Sequence, residues 1–188
     1  DMSGHWASSK IRSLAACGYV EGVGQNKFLP ENNVTRAEFV ALVSRLMNTY
    51  SPNIEIPFSD VSKNDWFAQS LQSVCSAGLI YREMTIGGNF APDKYITREE
   101  SADILGKFIK MRMTEQPNRS RTADFSDEES ISEWAREGTM EALDYGVITG
   151  YGDNFFRPHS NITRAEAAVM IFRTAELFKR FAVYVDAN

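Results

Sequence analysis

Apolar residues recur along this chain with a helical period, in short stretches separated by polar loops marked by glycine and proline. Phe67, Leu71, Val74, Cys75 and Gly78 fall at i, i+4, i+7, i+8 and i+11, one face of a helix. Ala7, Ile11, Leu14, Ala15 and Gly18 match them position for position, as do Ala135, Thr139, Ala142, Leu143 and Gly146. A second kind of stretch carries a wider face: Phe39, Val40, Val43, Leu46 and Met47, then Ile104, Leu105, Phe108, Ile109 and Met111. Its third copy is Ala168, Val169, Ile171, Phe172, Ala175 and Leu177, predicted to run on to about Phe181. Faces this broad predict helices buried against more than one neighbour. The pattern is all-α: three helix-loop-helix pseudo-repeats, with the second helices longer, more apolar and nearer the centre.

The punctuation confirms the count. Trp6, Trp66 and Trp134 stand 60 and then 68 residues apart, and each is followed twelve residues later by a glycine, Gly18, Gly78 or Gly146. Those glycines are placed to end the first helices in a left-handed conformation. The spacing is too long for tetratricopeptide or ankyrin units. It divides the chain into repeats at 1–50, 58–113 and 125–181, folding together, with linkers at about 51–57 and 114–124. Between the helices lie glycine-rich loops, Glu21–Phe28 in the first repeat and Thr149–Phe156 in the third. Such loops let backbone approach a partner closely. The second loop, Tyr81–Phe90, is two residues longer and its glycines are displaced.

Each second helix opens on the same motif. Val34-Thr35-Arg36-Ala37-Glu38, Ile96-Thr97-Arg98-Glu99-Glu100 and Ile162-Thr163-Arg164-Ala165-Glu166 each follow a proline, Pro30, Pro92 or Pro158, six residues before the arginine. The Thr and the Glu three places later form a capping box, which accounts for both. The arginine is not accounted for. It falls at the first helical position, where a cation is disfavoured by about 0.3–1 kcal/mol. One reading makes it part of an anion receptor, a guanidinium fork beside free helix N–H groups that suits a carboxylate or phosphate. On that reading its loss costs binding and leaves folding nearly unchanged. The other reading pairs each arginine with a carboxylate of its own or a neighbouring repeat, and its loss then costs stability.

Charge and composition narrow the partners. The net charge is −5 over 188 residues with no basic tract, which argues against nucleic acid. No apolar stretch approaches the roughly 20 residues of a membrane span. The chain begins at Asp1 without a methionine, as a processed or excised fragment would. Cys17 and Cys75, among small apolar residues, read as buried free thiols rather than a disulfide framework or zinc site. His5 and His159 occupy non-equivalent places, and no nucleophile, metal or phosphate-loop motif is present. No enzymatic activity, metal or cofactor is expected. The tryptophans sit at the edge of each first helix, where an indole can stack on a sugar ring or be half-buried in the core. Asp1, Asp60 and Asp127 precede them and are placed either to cap the first helices or to accept hydrogen bonds from a ligand.

The ordered combination Phe58-Ser59-Asp60-Val61, Trp66-Phe67, Gly78-Leu79-Ile80, Phe90-x-Pro92 and Ile96-Thr97-Arg98-x-Glu100 resembles the S-layer homology (SLH) repeat. The resemblance extends over essentially the whole chain as three repeats. It implies a three-pronged arrangement around a central three-helix bundle. It also implies a module of a larger exported protein, bound non-covalently at the cell wall or S-layer. The implied partner is secondary cell-wall polysaccharide carrying pyruvate ketals, held in grooves between repeats. Arg36, Arg98 and Arg164 would contact the pyruvate carboxylate, with the three aspartates, the three tryptophans and Gly18, Gly78 and Gly146 as lining. The second repeat departs from the pattern, with Thr-Arg-Glu-Glu and a longer loop, which makes Arg98 the expected weakest binder. The alternative function is a protein-interaction module of the surface layer.

Overall fold

A computed structural model describes residues 1–48, 55–114 and 125–178. Among them are six α-helices: α1 Ser8–Ala16, α2 Arg36–Met47, α3 Ala68–Ser76, α4 Arg98–Arg112, α5 Glu133–Asp144 and α6 Arg164–Leu177. The described residues form no strand, only isolated bridges. Most of both linkers, and the expected run of the last helix to Phe181, lie outside the described residues; α6 itself ends at Leu177.

The helix boundaries follow from local chemistry. Gly18, Gly78 and Gly146 have φ of +73°, +71° and +68°, the left-handed conformation expected of them. Each closes a Schellman motif: Tyr19 N–H donates to Leu14 O, Leu79 to Val74 O and Val147 to Ala142 O, at 2.9, 3.1 and 2.9 Å. At the start of α2, α4 and α6 the reciprocal Thr–Glu capping box is complete in all three copies.

The three second helices are tied together at these capped ends. Val34 N–H donates to Ile162 O, Ile96 N–H to Val34 O and Ile162 N–H to Ile96 O, a closed ring of backbone bonds at 3.1, 3.1 and 3.3 Å. Around it, the first two N–H groups of each second helix donate to carbonyls of another repeat. Arg36 and Ala37 bond Lys94 O and Pro92 O, Arg98 and Glu99 bond Ser160 O and Pro158 O, and Arg164 and Ala165 bond Asn32 O and Pro30 O. The recurring proline is thus an acceptor for a neighbouring helix. With the third N–H held by the capping threonine, these ends carry no free first-turn N–H to offer an anion.

Packing follows the same rotation. α3 lies on α2, α5 on α4 and α1 on α6, so each first helix packs on the second helix of another repeat, and α6 touches both α2 and α4. One buried cluster runs through all three repeats, including Phe28, Phe90 and Phe156 at equivalent positions. The second helices are the more buried, as their wide faces predict. Four expected core positions differ. Met111 is exposed near the end of α4, Ala15 faces solvent, and Cys17 and Cys75 are half-buried free thiols, the Cys75 thiol pushed up to about 11 by burial. All four lie in or beside the last turn of their helix, where the packed surface runs out.

Candidate functional site: grooves between the repeats

Each arginine of the capping motif crosses into the next repeat in cyclic order. Arg36 Nε donates to Phe90 O at 2.7 Å, its Nη2 to Met84 O at 2.9 Å, and its Nη1 pairs with Glu100 at 2.5 Å. Arg98 donates through Nη2 to Thr149 O, while its Nη1 lies 3.6 Å from Glu166 and 3.5 Å from Tyr151 Oη. Arg164 donates to Phe28 O at 2.9 Å and Glu21 O at 3.2 Å, with Glu38 at 3.6 Å. The partner carboxylate is always the capping-box glutamate of the next repeat. That is the ion-pair arrangement, and it replaces the receptor of free helix amides that helix electrostatics suggested. Burial lowers the pKa of Arg36 and of Arg98, opposed by Glu100 in the first and by Tyr151 and Glu166 in the second.

Two open grooves lie along these contacts. The first, about 200 Å³, is floored by Val20, Phe28 and Ala41 of repeat one and lined by Glu38, by Arg164 of repeat three and by Trp66 of repeat two. The other, the third repeat's groove, about 250 Å³, runs over Val147, Thr149, Tyr151 and Val169 of repeat three with Glu166, Arg98 of repeat two and Trp6 of repeat one. Both of these grooves therefore draw on all three repeats. Trp6 and Trp66 are 61% and 67% exposed, unusual for indoles and consistent with their place at the groove edges.

The corresponding place in repeat two is filled. Tyr81, three residues after Gly78, is the equivalent of Glu21 and Thr149. Its hydroxyl donates to Asp103 Oδ2 at 2.6 Å and lies 2.9 Å from Trp134 O, with its ring set edge-on to the Trp134 indole. Lys107 Nζ sits 3.5 Å from the Tyr81 ring centre and 3.1 Å from Asp103. Asp103 replaces Ala41 and Val169 of the open grooves and is wholly buried, which raises its pKa against the hydrogen bond from Tyr81 and the charge of Lys107. Trp134 is only half-buried here, and Arg36, the arginine of this place, is 2% exposed. The altered second loop thus faces Arg36; Arg98, tied to that loop by sequence proximity, faces the third.

The aspartates cap no first helix, each of which starts without a side-chain cap; they hold the loops instead. The Asp1 carboxylate accepts from Phe28 and Leu29 N–H, Asp60 from Phe90 and Ala91, and Asp127 from Phe156 and Arg157. Leu29, Ala91 and Arg157 have φ of 54°, 55° and 59°, so the carboxylate holds each loop at a residue in the left-handed region. The loop clamped this way presents the carbonyl that Arg36 and Arg164 reach.

One pair of groove residues escaped attention in the sequence. Arg45 and Arg173 stand ten residues after Thr35 and Thr163, line the two open grooves, and bond Tyr19 O and Val147 O at 3.3 Å. Lys107 holds the same position in repeat two, so the recurrence was visible.

Comparison with known proteins agrees with the repeats. The family model of the S-layer homology domain matches residues 1–40, 57–102 and 124–168. The chain is 36% identical over 94% of its length to an amylopullulanase of Thermoanaerobacterium thermosulfurigenes, of which it covers 9%. It is 34% identical over 84% of its length to a cellulosome-anchoring protein of Acetivibrio thermocellus, covering 35% of it. It is 27% identical over 97% of its length to the S-layer protein sap of Bacillus anthracis, covering 22%. The chain therefore spans a minor part of these relatives. Three motif-bearing repeats, closed in a ring and matched one by one, place this chain in the S-layer homology domain family.

Proposed function

We propose that this chain is a cell-surface anchoring module that holds an acidic cell-wall polysaccharide, carrying a pyruvate ketal, in the two open inter-repeat grooves. The observation that carries the reading is the convergence, in each groove, of an arginine, a capping-box glutamate and an exposed tryptophan from three different repeats. A guanidinium with a glutamate at 3.6 Å is incompletely satisfied, and a ligand carboxylate offers it a bidentate, charge-assisted pair. The exposed indole offers an apolar plane to a sugar ring and gains by being covered. Surface and anchoring proteins among the relatives support a role at the cell wall or S-layer, as part of a larger exported protein. Enzymes among them carry the matched region as a small fraction of their length, which supports anchoring rather than catalysis here.

Purified cell-wall sacculi test the proposal. Binding should survive protease treatment of the wall and vanish when its polysaccharide is stripped. Binding that follows wall protein instead would favour a protein-interaction module.

A further inference from the structure

We infer that the residue three places after each helix-ending glycine decides the state of its groove, and that Thr149 makes the groove of repeat three the tighter site for an anionic sugar. This rests on the groove reading above. The position is Glu21, Tyr81 and Thr149 in the three repeats. Its backbone carbonyl has one job in both open grooves, accepting from Arg164 at Glu21 and from Arg98 at Thr149. Its side chain does three different things. Tyr81 fills the second groove. Glu21 adds a carboxylate to the first, 3.5 Å from Arg45. Thr149 adds no charge to the third.

The charge lining follows. In the first groove Arg45 and Arg164 face Glu21 and Glu38, two against two. In the third, Arg98 and Arg173 face Glu166 alone. Arg157 also lies over the Tyr151 ring, 4.4 Å from its centre against 4.5 Å for Arg98, but it is paired with Asp153. A second observation marks Arg98 itself. Its Nε is buried without a partner among the described residues, whereas the Nε of Arg36 and of Arg164 each donates to a phenylalanine carbonyl. Arg98 is 5% exposed, so this unmet donor belongs to a nearly desolvated cation. The third groove therefore holds excess positive charge and an unsatisfied guanidinium, and the first is neutral within itself.

Trp6 edges the third groove and Trp66 the first, so the two indole N–H signals report each groove separately in an NMR titration. The probe is a methyl glycoside bearing a pyruvate ketal, with the glycoside lacking the ketal as control. In the unaltered protein the Trp6 signal should respond at a concentration about three- to ten-fold lower than that of Trp66 at low salt, the effect of one nearby charge. Both positions are exposed, so exchanges should leave the fold intact. Glu21→Thr should bring the Trp66 response to that of Trp6, and Thr149→Glu should weaken the Trp6 response by the same factor. Equal responses at Trp6 and Trp66 that neither exchange alters would overturn this inference and leave the groove reading standing. No ketal-dependent response at either indole would overturn the groove reading, and the ranking with it.

Discussion

Arg36, Arg98 and Arg164 share a sequence context but not an environment, and the difference predicts what each is for. Arg36 is enclosed by two carbonyls and a buried glutamate. Arg36→Ala strands Glu100 and should cost about 3–5 kcal/mol of stability, with binding lost only as the fold weakens. Arg164 faces the half-exposed Glu38, so Arg164→Ala should cost about 1–3 kcal/mol and abolish the first groove's ligand response outright. Urea denaturation of the two variants separates the roles; equal losses of stability would contradict the distinction. Tyr81 gives a pH-dependent case. Asp103, with its folded pKa raised by burial, lends stability at acid pH that is lost as pH rises through that folded value. The Tyr81 hydroxyl opposes the rise by serving the ionised carboxylate. Tyr81→Phe should therefore cost about 1–3 kcal/mol at neutral pH and distinctly less in acid. Equal costs in thermal melts at both pH values would show that the hydroxyl does not hold the carboxylate. What the sequence could say of these residues stopped at the helix end. The capping boxes and left-handed glycines depend on neighbours within a few residues and were legible. The partners of each arginine lie 48–143 residues away in a different repeat, and no periodicity encodes which they are.

At the scale of elements, the second helices do two tasks with one end. Their capped N-termini close the backbone ring, and the same ends carry the groove arginines, so the open grooves border the hydrogen-bonded junction of the three repeats. The tightest helix contact is between α4 and α5, where Gly106 meets Gly138. A Cβ on Gly106 would lie 1.8 Å from Gly138 O, so Gly106→Ala must wedge the two helices apart. It should cost roughly 1–3 kcal/mol or more, while Gly152→Ala, with open space at its Cβ, should be close to neutral in the same melt. Similar melting temperatures for the two would mean that this crossing is not as close as described. The wide apolar faces announced that the second helices were central. They could not announce the cyclic order, because a first helix that packs on another repeat has the same apolar stripe as one that packs on its own.

The described residues form a ring of three repeats, and neither of the two open grooves belongs to one repeat. Unfolding should accordingly be a single cooperative transition. Removing residues 125–188 should abolish it, since Ile162 accepts from Val34, and α5 covers α4. Ring closure also ties both open grooves to the intact chain: each takes its loop from one repeat, its arginine from a second and its tryptophan from the third. The most direct test of this account is calorimetric titration of the intact protein with the pyruvylated methyl glycoside. The account predicts two bound molecules per chain, of unequal affinity, weakened by salt and lost with the ketal. Three equivalent sites, or binding indifferent to the ketal, would contradict it.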